Sequence, residues 1–300
     1  MGNALLRWWG CGAFDVCFGD VNIAFDPYLF GENLENAEPI FDYIFISHEH
    51  FDHCHPPTLL RLCRGDRFKK LFVSHGCIHP DRPISEKYGD AAFDRDLPIT
   101  KHISEDKVQI IYPKHRSVVR EEGRIFSDPV EVDLGPISVE TIESGENARL
   151  DIPTCGYLVT HKEKEISFLH TGDLHQAYPA LQNVQGRVDF AIHMKLGLAE
   201  WGSDDISPRL LKFVELVKPR FLIPIHYRTD RVSDPIPSGH WPPNVTDVAA
   251  LIESIREIVG DKTTVLPLTA GVEYELELRE KKILWKWKWY DSWTAPPWRE

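Results

Sequence analysis

The sequence predicts an α/β fold, and three observations carry that prediction. Three apolar runs of strand length, Tyr43–Ile46, Ile166–Leu169 and Phe221–Ile225, each end abruptly in histidine or aspartate. Two other stretches, Ser207–Lys218 and Thr246–Val259, carry apolar residues at helical spacing instead. The chain has 300 residues, 42% of them hydrophobic, which is enough for one α/β unit with a sizeable core.

Taken in order, Leu5–Trp9 reads as a first strand, and residues 4–25 alternate imperfectly between apolar and polar. Phe14–Phe18 and Val21–Phe25 read as a hairpin turned at Gly19-Asp20. Asp26-Pro27-Tyr28 follows, where proline stops the ladder, and Glu32–Pro39 is a loop. After the strand Tyr43–Ile46, Pro56-Pro57 introduces a short helix over Leu59–Arg64. Lys70–Ser74 is a strand. Residues 75–105 hold no period and read as a long connection with one helix near Ile84–Tyr88, of the kind that forms site walls. His75, His79 and His102 fall there and read as surface histidines.

Lys107–Tyr112, Val130–Leu134 and the alternating Ile137–Ile142 are strands. Gly156–Thr160 and Glu165–Leu169 form a hairpin, and Asp189–His193 is another short strand. Ser207-Pro208 caps and starts a helix whose stripe is Leu210, Leu211, Val214 and Val217. Thr246–Val259 is a second helix, closed by Gly260. Thr264–Leu266 and Val272–Leu276 are the final strands. The tail from Lys281 to Glu300 is rich in tryptophan and alternates through Leu284-Trp285-Lys286-Trp287-Lys288-Trp289. Covering a sheet edge, lining the site mouth, or meeting a second subunit in a homo-oligomer would each use that aromatic face. Packing on its own domain is the preferred reading, with residues 276–300 as an extension of a domain spanning 1–275.

Composition narrows the function classes. The net charge of −12, from 34 basic and 46 acidic residues, argues against a broad nucleic-acid face. The first residues show no secretory pattern, and Leu6 stands where a myristoylation signal needs Ser or Thr. No apolar run reaches the ~18 residues of a membrane span. A cytoplasmic protein acting on a small molecule is expected. The six cysteines form no CxxC and read as reduced, buried thiols, Cys54 lying beside the histidine cluster.

The organising stretch is Ser47-His48-Glu49-His50-Phe51-Asp52-His53, directly after an apolar strand. In an extended segment His48 and His50 point the same way. Three imidazoles and a carboxylate this close are poor packing material and good ligands for Zn, Fe or Mn. Asp173, after Thr171-Gly172, and His226, after Ile225, end two further buried strands. Such strands can bring their ligands to one sheet edge.

With these residues the chain resembles the metallo-β-lactamase superfamily. His48 to His53 matches its HxHxDH signature, Thr171-Gly172-Asp173 its bridging aspartate, and Ile225-His226 its final histidine. Trp9-Gly10-Cys11-Gly12-Ala13-Phe14, Phe25-Asp26-Pro27-Tyr28 and Asp189–Tyr227 are similar to the ascorbate-phosphate lactonases and related metal-dependent hydrolases. The resemblance implies a four-layer αβ/βα sandwich holding two divalent metal ions. His48 and His50 would hold one, Asp52, His53 and His226 the other, and Asp173 would bridge them. Where the family places a further histidine, after the strand Ile137–Ile142, this chain has Glu143-Ser144-Gly145-Glu146-Asn147. Glu146 is the closest replacement by position, Glu143 the second and His115 a poorer third. Zinc is the family's usual metal; a glutamate ligand tilts preference towards Fe or Mn. The other outcome is a weakened first site and a single ion held by Asp52, His53, Asp173 and His226.

The expected activity is hydrolysis, by a metal-bound hydroxide, of an ester, lactone or phosphodiester of a small molecule. Asp52 would also orient the hydroxide, and His175 and His193 could pass protons or support ligands at the site edge. Lys195, Arg228 and Arg231 are candidate anion anchors, with His193 beside them in the substrate-binding set. The alternative is a di-iron, Glu146-containing oxidoreductase of the same fold that activates oxygen with an external electron donor.

Overall fold

The computed structural model describes residues 4–10, 12–28, 40–49, 53–74, 77, 102–112, 114–119, 124–144, 155–174, 178–194, 208–225, 256–266, 268, 272–277 and 282–289. The chain divides into two compact units. One comprises Met1–Ile110, Thr229–Trp241 and Thr269–Glu300, the other Ile111–Arg228 and Pro242–Leu268.

The first unit is built on an eight-stranded mixed sheet. Its strands are β1 (Ala4–Gly10), β2 (Ala13–Cys17), β3 (Asn22–Phe25), β4 (Tyr43–Ile46), β5 (Lys70–Val73), β6 (Val108–Ile110), β16 (Val272–Glu277) and β17 (Lys282–Trp289). The spatial order is β17-β16-β1-β2-β3-β4-β5-β6. Neighbours from β17 to β3 pair antiparallel, and from β3 to β6 parallel. The β2–β3 hairpin turns as expected at Gly19, whose φ of +91° suits glycine.

Period-two alternation gives this sheet two apolar faces. On one, Ala24, Ile44, Ile46, Leu71 and Val73 pack with Leu59 and Leu62 of helix α1 (Pro56–Leu62). The other carries an aromatic row: Phe25 stacks on Phe45 at 5.6 Å between centroids, and Phe45 on Phe72 at 5.0 Å. Helix α1 begins at Pro56, earlier than the expected Leu59, because proline's missing N–H costs nothing in a first turn. β6 starts at Val108 because Glu105–Lys107 forms a 3-10 turn, with Lys107 anchored on the Gly65 carbonyl and Asp66.

The imperfect alternation near the start of the chain has a physical cause. Arg7 on β1 stands opposite Asp15 on β2 and Glu273 on β16. The Arg7 guanidinium donates to both Asp15 oxygens at 2.9 and 3.0 Å, and the Trp9 indole N–H also donates to that carboxylate. Burial pushes the Asp15 carboxyl up, while Arg7 and Trp9 act in the opposite sense. Burial likewise pushes the neighbouring Cys17 thiol up to about 12. Cys17, Cys54, Cys63, Cys77 and Cys155 form no disulfide among the described residues.

The second unit carries a seven-stranded sheet of β9 (Glu131–Asp133), β10 (Ile137–Glu143), β11 (Cys155–His161), β12 (Ile166–His170), β13 (Phe190–Met194), β14 (Phe221–Ile225) and β15 (Thr264–Val265), paired in that spatial order. β9 to β12 are antiparallel and β12 to β15 parallel. Phe168, Phe190 and Phe221 stack across the three central parallel strands at 4.9 and 4.8 Å. Helix α2 (Pro208–Val217) buries Leu210, Phe213, Val214, Leu216 and Val217; of the expected stripe Leu211 is only half-buried, and Phe213 and Leu216 join the buried face.

Two further strands, β7 (Lys114–Val119) and β8 (Arg124–Asp128), form a separate antiparallel ribbon. Their charged starts hid them, since no apolar period marks them as strands. Residues 256–259 are helical and Gly260 has φ +63°, the closing conformation expected there. The expected helix near 84–88 lies outside the described residues. No helix among the described residues is long and apolar enough to cross a membrane.

The Arg7–Asp15 pair yields a stability prediction. Asp15→Ala removes the nearer of the two carboxylates at Arg7, leaving Glu273 at 3.6 Å, and should cost about 1.5–3 kcal/mol, read as a lower urea midpoint with an unchanged m-value.

Candidate metal centre

The first unit's contribution starts from the parallel pairing of β3 with β4. Phe25 stands opposite Phe45, so the residues that follow each strand emerge side by side. Asp26 follows β3, and its N–H donates to the Phe45 carbonyl at 2.8 Å. Its φ of +43° is a left-handed conformation that aspartate tolerates better than most residues. Ser47 and His48 follow β4. The fully buried Asp26 carboxylate accepts the Ser47 N–H at 2.7 Å, the Ser47 hydroxyl at 2.6 Å and Nδ1–H of His53 at 2.7 Å.

These bonds settle the histidine tautomers. The single hydroxyl proton of Ser47 goes to Asp26, so Nδ1 of His48, 2.8 Å from that hydroxyl, must be the donor. Asp26 can only accept from His53. Both rings therefore hold their proton on Nδ1 and keep the Nε2 lone pair, the form that binds metals. The two rings are buried with centroids 4.2 Å apart, and neither Nε2 makes a hydrogen bond. Two imidazoles so placed have little packing value and the donor chemistry of a divalent-ion site.

Gly12, between β1 and β2, closes over His53. A Cβ there would lie 2.6 Å from His53 Cε1 and 2.7 Å from Nδ1, so the backbone itself forms the wall behind the ring. His55 is differently employed: its Nδ1 lies 2.8 Å from the Thr58 hydroxyl at the start of α1, and its ring meets Tyr28 edge-on.

In the second unit Asp173 follows β12 through the turn Thr171-Gly172. Gly172 takes φ +55°, and the Thr171 N–H donates to the Ile192 carbonyl of β13 at 3.1 Å. Asp173 is 7% exposed and its Oδ1 makes no hydrogen bond. Glu143 ends β10 as a buried carboxylate. His193, on β13, is buried with its ring edge-on to Phe213 of α2 at 4.4 Å. His115 lies in β7. His50, Asp52, Glu146, His175, Lys195, His226, Arg228 and Arg231 lie outside the described residues.

Sequence reasoning missed Asp26, Ser47 and Gly12. Asp26 showed a signal in being an acid wedged between an apolar strand and a proline, a position at a strand's carboxyl end.

Three substitutions follow from this geometry. Asp26→Ala should lower divalent-ion affinity about 10- to 100-fold and also destabilise the fold, measured by equilibrium dialysis and urea titration. Asp26→Asn keeps the backbone conformation but offers one acceptor oxygen in place of two, and should lose affinity with a smaller loss of stability. Gly12→Ala drives a methyl into the His53 ring and should cost about 1–3 kcal/mol together with ion binding.

The chain is similar to several known proteins. A family described as the beta-lactamase superfamily domain matches residues 5–226. A UPF0173 metal-dependent hydrolase of Pyrococcus furiosus is 23% identical over 278 residues, covering 86% of this chain and 93% of that protein. One from Thermococcus onnurineus is 25% identical over 283 residues, covering 90% and 99%. Among solved structures, a metallo hydrolase of Ignicoccus hospitalis superposes with TM-score 0.55 at 17% identity, over 92% of this chain and 99% of that one. CmlA, a diiron beta-hydroxylase of Streptomyces venezuelae, superposes with TM-score 0.56 at 17% identity, over 92% and 54%. Both show the fold, which hosts more than one chemistry. The matched span covers both sheets' ligand-type strand ends, and the chain belongs to the metallo-β-lactamase superfamily, as an enzyme of the metal-dependent hydrolase kind.

Proposed function

We propose that this enzyme hydrolyses an ester, lactone or phosphodiester of a small molecule at a centre of two divalent ions. The observation that carries the reading is the His48–His53 pair, whose Nδ1 protons are committed to Ser47 and Asp26 and whose Nε2 lone pairs are thereby presented for coordination. His48 and His53 of the first unit each offer a ring nitrogen to an ion, and Asp173 of the second offers a carboxylate oxygen. We assign His48 and His50 to one ion, Asp52, His53 and His226 to the other, and Asp173 to both, following the family signature. Glu146 takes the place of the missing histidine. A carboxylate there favours Fe or Mn over the Zn usual for the family.

A bound divalent ion lowers the pKa of its water to about 7, so that hydroxide is available at neutral pH. The chain's own residues supply the rest. Asp52 accepts a hydrogen bond from the attacking water and orients it. His175, two residues past Asp173, passes a proton to the leaving oxygen. Lys195 and Arg228 hold the substrate's negative charge, which the acidic surface of a chain with net charge −12 would otherwise repel.

The test is metal analysis of protein loaded in turn with Zn, Mn and Fe, followed by assays on p-nitrophenyl esters, lactones and bis-p-nitrophenyl phosphate. Two equivalents of ion, hydrolysis of at least one class and its loss in His48→Ala are expected. Oxygen uptake by the Fe form with an added reductant, and no hydrolysis by any form, would replace this reading with an oxygen-activating one.

A further inference from the structure

The ladder of β12 ends at His170, so the sheet alone does not hold the segment that presents Asp173. What holds it comes from three other directions. Ser144, the residue after β10, is 1% exposed, and its hydroxyl donates to the Thr171 carbonyl at 2.7 Å. From β13, the Ile192 carbonyl accepts the Thr171 N–H at 3.1 Å and its hydroxyl at 3.4 Å. From β11, Gly156 presses so close that a Cβ would lie 2.9 Å from the His170 carbonyl oxygen and 3.3 Å from Thr171 Cα. The Gly172 N–H then turns back to Nδ1 of His170 at 3.2 Å.

We infer that Ser144 is a positioning residue for Asp173. Its hydroxyl is a side-chain donor that comes to this segment from outside it, reaching across 27 residues of sequence to the peptide that joins Thr171 to Gly172. That peptide is buried, and a buried carbonyl deprived of its donor seeks another by rotating. The rotation falls on Gly172, the residue that resists it least, and swings the carboxylate attached one residue later. A shift of that kind disturbs ion binding before it disturbs the core, because Phe168 and its stacked neighbours lie on the far side of His170 in the strand. The inference rests on Asp173 being a ligand, as proposed above.

The experiment compares Ser144→Ala, Ser144→Thr and Asp173→Asn in the full chain loaded with Co(II), whose visible bands report ligand number and geometry. Asp173→Asn should lose affinity and change the spectrum. Ser144→Ala should bind Co(II) about 10- to 100-fold more weakly with altered bands, while its metal-free Tm stays within a few degrees of the parent, of the order of one lost hydrogen bond. Ser144→Thr, which keeps the hydroxyl, should restore the parental spectrum. If Asp173→Asn acts and Ser144→Ala matches the parent in bands and affinity, the inference is wrong. A metal-free Tm that collapses in Ser144→Ala, with bands unchanged in whatever protein remains folded, assigns the hydroxyl to stability and also overturns it. An unaltered spectrum in Asp173→Asn instead removes the ligand reading beneath it.

Discussion

The carboxylate of Asp26 is the constraint on which the candidate centre depends. One buried acid accepts a backbone N–H, a hydroxyl and an imidazole N–H, and through them sets the proton position on two histidines. Hydrogen bonds to a buried charge are among the stronger ones available to a protein, and charge-assisted donors fix direction as well as distance. The acid also accepts a left-handed backbone to make these bonds, a local cost of the kind that persists only where the surroundings over-determine it. Pre-set tautomers spare the site from reorganising its own hydrogens when an ion arrives.

This hub exists because β3 and β4 run parallel. Parallel neighbours finish at the same edge, so the residues after β3 and after β4 meet without further folding. The second unit repeats the device with β12 and β13: Thr171, past the end of β12, reaches the Ile192 carbonyl on its parallel neighbour. In each unit the chain arrives at this arrangement from an antiparallel stretch, β1–β3 in one and β9–β12 in the other. The aromatic rows on the parallel strands, Phe25–Phe45–Phe72 and Phe168–Phe190–Phe221, give each set of strand ends a stiff base.

Much of this was legible in the residues alone. Four apolar positions before Ser47 identified a buried strand, and the cluster after it was too rich in imidazole to be packing material. The Thr171-Gly172-Asp173 turn was equally visible. The partners of Asp26 were not, because they depend on which strand pairs with which, and periodicity along one segment carries no information about its neighbour. Arg7 and Asp15 made the alternation of their strands imperfect for a related reason: each charge is satisfied across the sheet, so neither obeys the one-dimensional rule that strands alternate polar and apolar. The β7–β8 ribbon escaped notice because charged residues open each strand and leave no apolar run to mark it.

The change from antiparallel to parallel pairing inside each sheet divides labour along the chain. Antiparallel strands can be joined by short turns, as between β2 and β3 and between β11 and β12, whereas parallel ones need long crossovers. Every crossover here leaves from the edge that bears the ligand-type residues. A change of length in those excursions leaves the hairpin registers of the antiparallel strands as they are.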